Sequence, residues 1–187
     1  MKIQSMLRNF GGALALTLVL AMASPATWAQ SGDSEEISNL LSQAKSHAAL
    51  ADDDAGKLES YTRSKLNWRS HADKLDRIKQ HVNELLKIDK QLNDLRAQGS
   101  PWQQTAIDQI DVHMKELAAL LTTTINHLND NKSQIHMQAY REYAEGNHDL
   151  TARISAMIND YVDYDKAKSK AELLEQKLEL PTVGEGE

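Results

Sequence analysis

The sequence predicts an all-α protein: an antiparallel up-down-up-down four-helix bundle with long helices and coiled-coil-like packing. Three observations carry this. Helix breakers are scarce, since past Ala29 the only prolines are Pro101 and Pro181. Apolar residues recur at steps of three and four over long windows, which marks one face of a helix and not a strand. Ala97-Gln98-Gly99-Ser100-Pro101 is a helix stop followed at once by a helix start. Four such segments joined by short connections close most simply into an antiparallel bundle.

The first 29 residues read as a secretory signal peptide. Lys2 and Arg8 form a positive n-region, Phe10 to Ala23 is an apolar run too short to span a bilayer comfortably, and small residues up to Ala29 suit cleavage after that position. The sequence therefore points to a periplasmic or secreted protein. The chain holds no Cys, which excludes a lipidated cysteine, a disulfide framework and a c-type haem attachment. Loss of Lys2 and Arg8 takes the basic count from 21 to 19 against 27 acidic residues, and the net charge from −6 to −8. An acidic chain without a basic stripe disfavours nucleic acid and anionic lipid as partners, and no apolar stretch past Ala29 is long enough for a membrane span.

The segment 30–180 is expected to form the bundle. A first helix over about 34–63 begins with Asp33-Ser34-Glu35-Glu36, acids where the helix dipole favours them. Its stripe is Ile37, Leu41, Ala44, Ala48 and Ala51, resumed by Ala55 and Leu58 beyond Asp52-Asp53-Asp54. A break at the three aspartates, with one helix from 55 to 97, is the rival reading. Matched lengths favour the first, because helices of ~45 Å bury their stripes along the whole span.

The second helix, about 67–97, carries Trp68, Ala72, Leu75, Ile78, Val82, Leu85, Leu92 and Leu95. Asp89 stands in phase with that stripe. A local rotation giving its place to Ile88 and Leu92 is expected, because a buried charge is costly. Gly99 reads as a left-handed C-cap.

The third helix, about 101–131, is the best patterned. Ser100 caps it, Pro101 takes its first position and Gln103 is placed to close a capping box. Its stripe is Ile107, Ile110, Met114, Leu117, Leu121, Ile125 and Leu128.

The fourth helix, about 137–178, runs through Gly146-Asn147 on Tyr140, Tyr143, Leu150, Ile154, Met157, Tyr161, Tyr164, Ala167, Ala171 and Leu174. Residues 181–187 read as a disordered acidic tail.

Seven histidines are the feature most open to a chemical reading. The expected layout puts His71, His127 and His136 at one end of the bundle, where they are the candidate metal ligands. His47, His81, His113 and His148 fall at the middle level, one per helix. Imidazole suits zinc, copper or iron. No closed ligand set with familiar spacing is present, however, and Glu145-Gly146-Asn147-His148 is the one Glu-x-x-His where a di-iron bundle needs two. His113-Met114 and His136-Met137 hint at copper or haem, but neighbouring residues point to different sides of a helix, so one of each pair is expected in the core. The pairs Tyr140/Tyr143 and Tyr161/Tyr164 each share a face, either as core edge or as an aromatic strip for a partner. No phosphate loop, nucleophile elbow or apolar carboxylate pair is visible.

Ser46-His47, Leu58-Glu59-Ser60-Tyr61-Thr62-Arg63, Ser70-His71-Ala72, His81-Val82-Asn83 and Ser100-Pro101-Trp102-Gln103-Gln104 resemble a set of exported helical proteins of soil acidobacteria. The resemblance covers most of the chain past Ala29. It implies export and helical content, and no activity, cofactor or catalytic residue.

The sequence thus favours an exported, non-enzymatic helical bundle with a structural or interaction role in the cell envelope. Its partner would be another protein or a second copy, and no cofactor is implied. The alternative is a periplasmic bundle that binds a metal or haem through histidine. A third reading is a pH-responsive envelope protein, its histidines charging below about 6.5.

Overall fold

The computed structural model describes residues 32–178. The expected leader, 1–29, and the tail, 181–187, lie outside the described residues. Four helices account for most of what is described: α1 (Glu35–Thr62), α2 (Trp68–Leu95), α3 (Pro101–Asp130) and α4 (Gln138–Leu178), with a 3₁₀ turn at Arg96–Gln98. α1 packs on α2 and α4, and α3 packs on the same two. Contacts of α1 with α4, of α3 with α4 and of α1 with α2 run in opposite order. Lys45 and Glu59 of α1 meet Asp163 and His148 of α4. Gln109 and Thr124 of α3 meet Tyr161 and Asn147 of α4. His47 and Asp54 of α1 meet His81 and Lys74 of α2. The core lies between the helices, with Ile37, Leu41, Leu58, Ile78, Leu92, Ile107, Met114, Leu117, Tyr140 and Ile154 fully enclosed.

α1 continues unbroken through Asp52-Asp53-Asp54, where each aspartate faces a basic side chain. Asp53 takes Lys57 one turn on, Asp54 takes Lys74 of α2 at 2.6 Å, and Asp52 faces the His148 ring at 3.7 Å. The helix starts at Ser34, whose hydroxyl accepts from the Ile37 N–H. Asn67 starts α2 by accepting from Arg69 and Ser70.

Gly99 corrects the left-handed cap expected of it. Its backbone is extended, at φ −80° and ψ 152°. Glycine is needed for space instead: a Cβ there would lie 2.8 Å from Ile37 Cδ1 and 3.1 Å from Gln103 Cβ. α2 closes through the 3₁₀ turn. Arg96 then clamps Asp108 with two bonds of 2.6 and 2.7 Å, and Gln104 donates to the Gly99 carbonyl.

Gln103 does more than close a capping box. Its fully buried side chain accepts from the Ser100 N–H at 3.1 Å and from the Ser34 N–H at 2.8 Å, and donates to the Ser34 carbonyl at 2.9 Å. One amide thus ties the starts of α1 and α3, joining residues 69 apart in the chain. Gln103→Leu leaves two backbone N–H groups and a carbonyl without these partners. It is expected to cost about 2–3 kcal/mol by chemical denaturation.

Three core expectations change. Asp89 is not rotated out: Ile88 enters the core and Asp89 stays buried beside it, each 7 % exposed. In α3 the buried position near the C-terminus is Thr124 rather than Ile125, because Thr124 accepts from the buried Asn147 amide at 2.7 Å. In α4 the inward face is Tyr140, Ala144, Asn147, Leu150, Thr151, Ile154, Ile158 and Val162. Met157 packs half-buried at the edge of the core, whereas Tyr161, Tyr164, Ala167, Ala171 and Leu174 lie off it. α4 has 41 residues against 28 and 30 in α1 and α3, so it outruns its neighbours and buries nothing after Val162.

Candidate functional site

Three constellations gather the residues with chemistry. The first is the end of the bundle where α1 meets α2. His71 is fully buried there, with its ring against Tyr61 at 5.8 Å and Tyr140 at 5.4 Å. Tyr140 stacks on His127 at 6.2 Å, and His127 leans on Tyr143 at 5.1 Å. His71 and His127 therefore gather around one tyrosine. His136 is exposed in the connection before α4. Burial holds His71 below the usual imidazole range, and the charge of His136 adds to this. Burial likewise pushes the Tyr140 phenol up. Both are neutral at pH 7. Both His71 ring nitrogens, His127 Nε2 and Tyr140 Oη are enclosed without a protein hydrogen bond. Among the described residues, no three or more His, Asp or Glu side chains are arranged to hold a metal ion.

The second constellation is the middle of α1. His148 lies across the helix with Nδ1 2.7 Å from Glu59 and Nε2 3.7 Å from Asp52. A Cβ on Gly56 would sit 3.1 Å from that ring, so glycine lets α4 lay its histidine on α1. The hydrogen bond from His148 holds the Glu59 carboxyl below the usual range against the opposing effect of burial, and Arg63 adds to it. On the α2 side, Asp54 and Lys74 form a buried ion pair, with His81 Nε2 3.6 Å from Asp54. His47 tilts against His81 at 6.1 Å. His113 faces Glu116 on its own helix. The four middle histidines thus divide among three places. Asp54 and Lys74 escaped the sequence reading, although both stand in stripe phase: Asp54 between Ala51 and Leu58, Lys74 between His71 and Ile78.

Of the His-Met pairs, Met114 is enclosed in the core and Met137 is 58 % exposed. Neither pair brings its sulfur and imidazole to one point inside the bundle.

The third constellation is an aromatic face at the opposite end. Trp102 stacks on Tyr161 at 6.5 Å and meets Tyr164 edge-on at 5.2 Å. Its indole N–H donates to Asp33 at 2.7 Å, and Lys168 holds the other oxygen of Asp33. Burial works to raise the Asp33 carboxyl, but bonds from Lys168, Ser100 and Trp102 outweigh it and bring it below the usual range. Two adjoining shallow clefts share Tyr164: one runs to Asp33, Ser100 and Lys168, the other to Gln109, Met157 and Asp160. From Tyr164, which is 51 % exposed, an apolar line continues along the end of α4 through Ala167, Ala171, Leu174 (44 %) and Leu178 (60 %).

No family model, no curated protein and no solved structure matches this chain.

Proposed function

We propose that this is an exported, non-enzymatic interaction protein of the cell envelope, with the aromatic face and the α4 extension as its contact surface. The observation that carries the reading is the apolar line from Tyr164 to Leu178 on a helix that buries nothing beyond Val162. Scattered apolar residues on a surface need no explanation, but a line of them joined to a tryptophan–tyrosine cluster is the composition of a binding surface. His71, His127, His81 and His148 fit this division of labour, because they pack against tyrosines or face carboxylates within the bundle. Export rests on Lys2, Arg8 and the apolar run from Phe10 to Ala23, and on the resemblance to exported helical proteins.

A photo-crosslinking residue at Leu174, tested in the cells that make the protein, is expected to give a discrete adduct. The same residue at Val112, which is 61 % exposed on α3, is expected to give none. Equal labelling at both positions, or none at either, would remove this reading.

A further inference from the structure

We infer that the end of α4, residues 163–178, pairs in parallel with the same segment of a second copy of this chain. The inference rests on the contact-surface reading above and names its occupant. Tyr164, Ala167, Ala171, Leu174 and Leu178 are spaced 3, 4, 3 and 4, the heptad seam of a two-stranded coiled coil. Tyr164, Ala171 and Leu178 take one core position, Ala167 and Leu174 the other. At 3.6 residues per turn the seam centres about 160° around the helix from Val162, the last residue facing the protein's own core. Two copies would meet back to back, with their bundles on the outside.

Charge fits a second copy of the chain as the partner, and the parallel direction is the one free of a like-charge contact. The residues flanking the seam are Asp163, Lys170 and Lys177 on one side, Lys168 and Glu175 on the other. In a parallel pair each residue of the first kind faces the partner's residue five positions on. Asp163 then faces the partner's Lys168, and Lys170 faces the partner's Glu175. Symmetry repeats both contacts, so all four flanking contacts are attractive. An antiparallel pair instead sets Lys170 against the partner's Lys170 near its centre, although it also sets Asp163 against the partner's Lys177. Asp163 already lies 3.5 Å from Lys45, and Lys168 already holds Asp33 and Glu172. The Lys170 contact therefore discriminates more sharply than the Asp163 contact. The seam is only ~22 Å long and two of its five residues are alanine. It is shorter than stable interfaces require, which sets a reversible dimer in the micromolar range.

The test uses the chain from Gln30 to Glu187, which holds every described helix, in sedimentation across concentration. A monomer–dimer equilibrium is expected. Leu174→Asp should abolish it while leaving the circular dichroism and melting temperature of the monomer unchanged. Lys170→Glu should weaken it roughly fivefold to tenfold, and Glu175→Lys added to Lys170→Glu should restore it. Because the chain has no cysteine, Leu178→Cys gives a single thiol. It cross-links two copies on oxidation only if the segments run parallel. A strict monomer at millimolar concentration overturns the inference. So does a dimer indifferent to Leu174→Asp, one that Leu178→Cys cannot cross-link, or one that the charge exchange fails to restore. The in-cell adduct at Leu174 separates this failure from that of the broader reading. An adduct of twice the chain's mass supports the pairing. An adduct with a different protein, or with residues 1–31 of the same chain, overturns it, the different protein leaving the contact surface in place. No adduct removes both.

Discussion

Lys74→Met is expected to lower the stability of the bundle by about 3–5 kcal/mol in urea or guanidinium unfolding. The Lys74 ammonium lies 2.6 Å from Asp54, and the two side chains are 9 % and 10 % exposed. Burying the pair removed water from both ions, and each serves the other in its place. Without Lys74, the nearest partner left to the Asp54 carboxylate is the His81 ring, at 3.6 Å. A buried charge left in that state costs far more than the pair contributed when whole. For a domain of 5–15 kcal/mol total stability, this is a large fraction. Removing both charges together, as Lys74→Met with Asp54→Leu, should recover most of the loss, since buried ion pairs often give way to apolar residues of similar size without penalty. A single-variant loss below about 1 kcal/mol would mean that water reaches the pair and that the site behaves as a surface contact.

The opposite result is expected at Asp89. Burial first, and the negative charge of Asp111 second, push its carboxyl up to about 6, against the smaller opposing effects of Lys115 and Asn93. Its folded value lies above its unfolded one near 3.8, so the folded state holds the proton more tightly. The favourable contribution is complete below about pH 4 and disappears as pH rises through about 6. At pH 7 the ionised group stands in the core at a cost of about 2–3 kcal/mol. Asp89→Leu fills a stripe position between Leu85 and Leu92. It should stabilise the protein by about that amount at pH 7, and much less near pH 4. His71 acts in the other direction: its folded value lies below 6.5, so its contribution is present above that pH and fades as acid is added. His71 is common to both proteins, so the difference between variant and parent isolates Asp89. A gain of equal size at pH 4 and pH 7 would show that packing, not the carboxylate, is the cause.

Both predictions concern residues that periodicity marks and chemistry misreads. Asp54, Lys74 and Asp89 all fall in phase with the apolar stripes. A charged residue in such a place invites the assumption that the helix turns it away. The helix did not turn. Asp54 and Lys74 stay inside because each neutralises the other across two helices 20 residues apart in sequence. Asp89 stays because Leu85 and Leu92 on either side hold the helix in phase, and Asn93 donates to it at 3.2 Å. Gln103 shows the same limit from the polar side. Its role in a capping box is a local rule three residues long, whereas its bonds to Ser34 need the start of another helix beside it.

What the sequence determined by itself is the class of fold, the number of helices and where most of them begin and end. These depend on short-range physics: 3.6-residue periodicity, caps such as Ser34 and Asn67, and the Gly99-Ser100-Pro101 corner. The grouping of His71 with His127 at one end also followed, because in a bundle of long helices the level of a residue is set by its place in the chain. Tertiary structure alone decided which stripes are covered. The line from Tyr164 to Leu178 has the same spacing as the core stripes. It is bare because it lies about 160° around the helix from Val162, on the side turned away from α1 and α3. Periodicity reports that a helix has an apolar face. Whether another helix is there to cover it depends on which side of that helix its neighbours take, and only the packing together of segments far apart in the chain sets that.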